Sequence, residues 1–300
     1  MTKDLAASVR QRLMNRATQS NRPFQEVLQY FTMERFLYRL SASAHAEQFI
    51  LKGALMFTTW GLASTRATKD IDLLARMSND VETVVDVMRE VCSQRVESDG
   101  LAFDLGSMKG TTIKEDADYS GVRVTFLVRL QTARISMQID VGFGDVVTPP
   151  ATKFVYPAML EFAAPQLMGY PRETVVAEKF EAMMKLGLLN SRTKDFFDLL
   201  VLSRKFEFEG ANLANAIRRT CANRNTTVVR LPLALTPAFG SDPTKRTQWR
   251  GFLKKTVLES VPDSLQAVID ELALFLSPVA KAIESGSSFN QHWPPLGPWE

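Results

Sequence analysis

Histidine and cysteine are scarce in this sequence. Of 300 residues, two are Cys (Cys92 and Cys221) and two are His (His45 and His292). Two cysteines far apart offer no disulfide framework and suit a reducing compartment. Two distant histidines nearly exclude a His-based zinc site and any mechanism that needs several imidazoles. An excess of one charge is also missing. The 36 Lys plus Arg against 33 Asp plus Glu leave +3, too mild to argue for nucleic acid from total charge. Long apolar runs are lacking too. The most apolar late stretch, Leu265 to Ile283, is interrupted by Asp270, Glu271 and Lys281, so it does not read as a membrane span. The opening MTKDLAASVRQRLM is charged throughout, without the apolar core of a signal segment. These absences lead us to expect a cytoplasmic protein with no membrane partner. No internal repeat or low-complexity segment appears. The hydrophobic share of 45% is ordinary for a globular chain, and its length allows one large domain or two ordinary ones.

What is there centres on residues 49–74, FILKGALMFTTWGLASTRATKDIDLL. An apolar run leads into Lys52-Gly53-Ala54, a short apolar segment follows to Trp60, and a polar turn holding Arg66, Thr68 and Lys69 leads into Asp70-Ile71-Asp72-Leu73-Leu74. In a strand, successive side chains alternate between faces. Asp70 and Asp72 therefore share one face and Ile71 and Leu73 the other. Two carboxylates so close repel unless a cation joins them. Hard oxygen ligands of this type suit Mg²⁺, usually together with substrate phosphates. A Lys-Gly turn before a helix suits those phosphates, because glycine permits close backbone approach and a helix start offers free N–H groups.

These residues resemble the nucleotidyltransferase superfamily that includes DNA polymerase β: a glycine turn, a short helix, then Asp-x-Asp on a strand. More closely, the chain is similar to the AbiEii family, toxins of type IV toxin–antitoxin systems. Two later stretches carry that likeness. One is Ala177-Glu178-Lys179, similar to the family's AEK segment. The other is Arg192, Lys194, Asp195 and Asp198, a complete R-x-K-D-x-x-D motif. The chain departs from the superfamily at Ala54, where a serine commonly follows the glycine. The missing hydroxyl leaves Thr58 or Thr59 as its replacement.

Elsewhere, helices are expected over 4–18, from Pro23 to about Leu40, and over 80–92 with Asn79 as cap. Glu34 and Arg35 fall inside the second of these and are expected on a salt-bridged, solvated face. Cys92 and Cys221 are expected in the core. Residues 98–120 alternate short strand-like runs with Gly and Asp, and Glu115, Asp116 and Asp118 read as an exposed loop. Two strands follow, with Val122, Val124, Phe126 and Val128 inward on the first, and Ile135, Met137, Ile139 and Val141 on the second. Asp140 ends the polar row of the second strand. The superfamily resemblance implies a third carboxylate on a neighbouring strand, and Asp140 matches best, with Asp145 in reserve.

Thr148-Pro149-Pro150 is the expected domain boundary, and the chain beyond is helical. Asp195 and Asp198, three apart, share a helix face. Arg192 and Lys194 stand at that helix's start, where basic groups oppose the helix dipole at about 0.3–1 kcal/mol each if exposed. That cost hints at phosphate binding. Arg218, Arg219, Arg224 and Arg230 form a loose basic run expected to be solvated. Leu231 to Pro243 reads as a loop, a helix is expected from Lys245 to Val257, and Asp263 is expected to cap the last helix.

The expected fold is α+β: helices 1–44, a nucleotidyltransferase-type mixed sheet with flanking helices to residue 150, and a C-terminal helical lobe over 151–300. The resemblance implies that Asp70, Asp72 and Asp140 hold Mg²⁺ (or Mn²⁺). It implies that Lys179 and Asp195 join the catalytic set. Lys52, Gly53, Ala54, Arg66, Thr68, Arg192, Lys194 and Asp198 would contact the nucleotide. It further implies a nucleoside triphosphate substrate, a tRNA acceptor in some relatives, and a cognate antitoxin. The alternatives are a small-molecule nucleotidyltransferase acting on an aminoglycoside-type substrate and a non-catalytic nucleotide-binding regulatory module.

Overall fold

The computed structural model describes residues 4–62, 68–116, 119–254 and 261–300. Arg66, Asp118 and the expected helical continuation to Val257 lie outside them. The chain forms two units, Met1–Gly144 with Thr152–Gly169, and Asp145–Ala151 with Tyr170–Glu300. The division therefore does not fall at 150. Residues 152–169 return to the first unit because two of their segments pair into its sheet.

The first unit opens with α1 (Leu5–Gln19), whose N-cap Asp4 accepts the Ala7 N–H at 3.2 Å. In α2 (Phe24–Ala42), every residue from Val27 to Leu37 is buried. A helix apolar or satisfied on all sides belongs to a core rather than a surface. The expected pairing of Glu34 with Arg35 is present at 3.6 Å, but the solvated face is not: the two are 1% and 0% exposed. Arg35 donates to Asp99 at 3.2 Å and to the Ala163 carbonyl at 2.8 Å, and Arg39 donates to Asp99 at 2.6 and 3.1 Å. Asp99 is distant in the chain, so nothing local announces the pairing that lets these charges go inside.

The sheet is built from β1 (Phe49–Lys52), β2 (Asp70–Ala75), β3 (Ala102–Asp116), β4 (Tyr119–Leu130), β5 (Ala133–Phe143), β6 (Thr152–Val155) and β7 (Gln166–Gly169), in the order β3-β4-β5-β2-β1-β7-β6. β1 runs antiparallel to β2, and β2 runs parallel to β5. The apolar rows of β4 and β5 are buried as their alternation predicts, together with Ile71 and Leu73. Each such side chain contributes about 1.5–3 kcal/mol by leaving water. Between β1 and β2 lies α3 (Leu55–Thr59), and after β2 comes α4 (Val81–Ser93). Asp80, not Asn79, caps α4 and accepts the Thr83 N–H at 2.8 Å. Residues 102–116 form one long strand where short runs were expected, so Glu115 and Asp116 end a strand rather than occupy a loop. Its register shifts between Asp104 and Lys109, which accommodates the residues that break the alternation.

The second unit contains α5 (Arg172–Leu186), α6 (Thr193–Lys205), α7 (Gly210–Asn223), α8 (Pro237–Ser241), α9 (Pro243–Leu253) and α10 (Leu265–Glu284). The expected loop from Leu231 to Pro243 thus holds α8. Ser264, not Asp263, occupies the cap position of α10. The tail packs back: β9 (His292–Trp293) pairs with β8 (Phe208–Glu209), Trp293 is buried, and Trp299 stacks on Phe275 with centroids 5.8 Å apart.

Candidate active site

Register brings the acidic residues together. On β2 the side chains of Asp70 and Asp72 turn away from the buried Ile71 and Leu73. In the parallel pairing of β2 with β5, Asp72 stands directly across from Asp140 and Asp70 across from Gln138. Residues opposite one another share a face. One carboxylate oxygen each from Asp70, Asp72 and Asp140 lies within 4.8 Å of the others. No other group of His, Cys, Asp or Glu among the described residues does this. Across the other edge of β2, Lys52 on β1 is opposite Asp72 and is buried.

Gly53 is needed for this geometry on two counts. Its φ is +69°, a left-handed conformation that disfavours a side chain. A Cβ built there would also meet Asp72 Oδ2 at 1.9 Å. The Asp72 carboxylate therefore rests against bare backbone. Thr68 orients its neighbour, since its hydroxyl donates to Asp70 Oδ1 and its N–H is accepted by the Tyr30 hydroxyl at 3.0 Å.

Two partners of Asp140 were not singled out from sequence. Arg123 on β4, across from Asp140 in the antiparallel register, donates to both carboxylate oxygens at 2.8 and 2.7 Å. Gln138 donates to Oδ2 at 3.1 Å. The hydrogen bonds that the Arg123 guanidinium donates to Asp140, helped by the fields of Asp70 and Asp72, raise its pKa above the ordinary value. The alternation of β4 and β5 puts Arg123 and Asp140 on their strands' polar rows, but only the pairing register sets them opposite.

The expected phosphate grip is less complete. Ala54 stands at the N-cap of α3, a helix of five residues. Thr59 bonds the Met56 carbonyl at 2.7 Å, and Thr58 hydrogen-bonds the Tyr156 hydroxyl. Both hydroxyls expected to replace the missing serine are thus engaged elsewhere.

In the second unit, Lys179 on α5 pairs with Asp195 at 2.5 Å and Asp198 at 2.9 Å on α6. Asp198 is fully buried. Arg192 and Lys194 are exposed at the start of α6. The preceding turn is fixed by Asn190, whose side chain accepts the Arg192 N–H at 2.8 Å and whose carbonyl accepts from Lys245 at 2.7 Å. Asp145, the reserve carboxylate, belongs to another cluster. It accepts from Arg224 at 2.8 Å, and Arg224 also reaches Glu181 at 3.1 Å and Glu178 at 3.6 Å. Arg224 is therefore not part of a solvated basic run. Burial pushes the thiols of Cys92 and Cys221 up to about 12, which fits core residues rather than nucleophiles.

A mixed sheet that gathers three carboxylates beside a glycine turn offers an all-oxygen donor set that could hold a divalent ion. The family model described as "Nucleotidyl transferase AbiEii toxin, Type IV TA system" matches residues 35–271, and the chain belongs to that family. It is a nucleotidyltransferase, the toxin of a toxin–antitoxin pair, and the family implies a nucleoside triphosphate substrate and an antitoxin partner. Two solved structures are similar to it. One is an inferred nucleotidyltransferase from H. pylori, with TM-score 0.46 and 16% identity over 87% of this chain and 96% of that one. The other is JHP933 from Helicobacter pylori, with TM-score 0.45 and 15% identity over 84% of this chain and 89% of that one. No curated protein matches the chain. Among the described residues, no helix is long and apolar enough to cross a membrane.

Proposed function

We propose that this toxin transfers a nucleoside monophosphate from a nucleoside triphosphate to the 3′ end of tRNA in the cytoplasm, releasing pyrophosphate and blocking growth. Asp70, Asp72 and Asp140 would hold Mg²⁺, or Mn²⁺ in its place. The observation that carries this reading is the convergence of those three carboxylates over the Gly53 backbone. The donor set fits a hard divalent cation. It offers carboxylate oxygens alone, with no thiol or imidazole, and Asp72 sits where a Cβ would exclude it. The tRNA acceptor rests on the family likeness.

Divalent ions at these carboxylates would neutralise charge on the phosphates and hold the leaving oxygen in line. The acceptor hydroxyl oxygen forms the new bond to the α-phosphorus as the bond to the bridging oxygen of pyrophosphate breaks. The hydroxyl proton passes to the Asp140 carboxylate, which Arg123 keeps in a fixed plane. Thr68 holds Asp70. The backbone at Gly53 and Ala54 approaches the phosphates. Lys52 would balance their charge, and the family likeness assigns the same task to Arg66, Arg192, Lys194 and Lys179, the last of which Asp195 and Asp198 hold.

Each labelled nucleotide, incubated with the protein, Mg²⁺ and total tRNA, tests this. Label in tRNA supports the proposal. Label only in an aminoglycoside-type small molecule would replace it with the antibiotic-modifying reading. Nucleotide binding with no transfer to either would leave a regulatory module. Omitting the divalent ion, or titrating Mn²⁺ for Mg²⁺, tests the metal assignment separately.

A further inference from the structure

A cavity of about 420 Å³ in the first unit lies between α1, α2, the end of α3 and the segment after β6. Its volume is that of a small-ligand pocket. Tyr30 and Tyr156 line it, with Arg16 and Arg22 among its other walls. The two tyrosine hydroxyls are taken up by the Thr68 N–H and by Thr58.

Glu34 also lines this cavity and is 1% exposed. Its Oε2 accepts the Met159 N–H at 2.7 Å, while Oε1 has no hydrogen-bond partner. Arg35 Nη1 forms an ion pair with that oxygen at 3.6 Å, beyond hydrogen-bond distance, and its own hydrogen bond goes to Ala163. A buried carboxylate oxygen without a donor is costly, typically about 1–3 kcal/mol, and persists where something else supplies the donor. Burial also pushes the Glu34 carboxyl up to about 7, so the residue sits near half-ionised at neutral pH.

We propose that this cavity binds a small zwitterion, whose protonated amine donates to Glu34 beside the rings of Tyr30 and Tyr156 and whose anionic end meets Arg16 and Arg22. Carboxylate and aromatic groups together favour an ammonium nitrogen, while arginines favour a carboxylate or phosphate and disfavour a second cation. The cavity does not include the three catalytic aspartates. It touches their surroundings through Tyr30, which holds Thr68 and through it Asp70, so an occupant has a short route to that side chain.

The probes are ω-amino acids from 4-aminobutyrate to 8-aminooctanoate. Alkylamines and alkyl carboxylates of matched length serve as controls, and binding is followed by calorimetry and by protein NMR shifts. The expected result is saturable binding of at least one amino acid, more than tenfold tighter than either one-ended control. Glu34→Gln should weaken it tenfold or more. Arg16→Ala, an exposed substitution that leaves the core untouched, should weaken it severalfold. No saturable binding to the wild-type protein overturns the proposal. So does binding that neither substitution alters, or equal binding of an alkylamine or a carboxylate alone. If Glu34→Gln fails to fold, the Arg16→Ala result and the one-ended controls still decide.

Discussion

Each unit contains a cluster of three carboxylates and one arginine, and the two clusters behave oppositely. In the second unit, Arg224 is 11% exposed and lies within ion-pair distance of Asp145, Glu178 and Glu181. In the first, Arg123 is 39% exposed and forks Asp140, while Asp70 and Asp72 act on it through their fields. The first set gathers its oxygens within 4.8 Å, and the second does not. A guanidinium at the centre of its carboxylates attracts all three at once and fixes the packing. One at the edge leaves negative charge concentrated at a point, which suits a divalent ion. The same residue types therefore make a structural node in one place and a set open to a cation in the other, and placement alone separates them.

The largest effect expected falls on the open set. Asp72→Ala should lower nucleotide transfer by on the order of 10²–10³-fold or more, with a thermal midpoint close to wild type. Retained transfer would end the metal assignment. Gly53→Ala should approach the same loss, because the added methyl would displace the Asp72 carboxylate from its seat.

The closed set should respond in the opposite sense. Arg224→Ala strands three acidic groups and should cost about 3–5 kcal/mol of stability, measured by denaturant unfolding. A loss under about 1 kcal/mol would mean that the cluster is not a structural node.

A third expectation concerns Glu34, a buried acid outside both clusters. Its folded pKa, about 7, lies above the ordinary 4.5 because burial disfavours its charge, with Asp99 adding slightly and Met159 and Arg35 opposing. The folded state then holds a proton that the unfolded state releases between these values, so stability falls as pH rises from about 4.5 to 7. The fall should reach about 3 kcal/mol. Glu34→Gln should flatten that slope, and an unchanged slope would assign it to other groups.

The smallest effect expected is that of Arg123→Ala on folding. Asp140 is buried, but Arg123 is 39% exposed and Gln138 still donates to the carboxylate, so the loss should stay below that at Arg224, while the Mg²⁺ or Mn²⁺ concentration needed for transfer should change. A large stability loss with unchanged metal dependence would erase the contrast with Arg224.

Much of the acidic site could be read from the chain. The two-residue period of a strand puts Asp70 and Asp72 on one face and Asp140 on a polar row, and a glycine before a short helix is visible by eye. Arg123 could not be chosen among the arginines of β4, because its role depends on a cross-strand register. Glu34 and Arg35 were misplaced for a related reason. A charged pair in a helix ordinarily faces water, and the groups that these two meet in the core, Asp99 for Arg35 and the Met159 N–H for Glu34, lie far along the chain. The long β3 was hidden by Gly and Asp residues that a register shift accommodates.

What this sequence determined by itself was local: which faces alternate, where α1, α2 and α4 begin to within a residue, and that few residues other than carboxylates were available to hold a metal. The tertiary structure alone decided which distant charges meet. Whether an arginine sits at the centre or the edge of its carboxylates depends on strand register and helix packing. These are set by summed burial over many residues, so no single stretch of the chain encodes them.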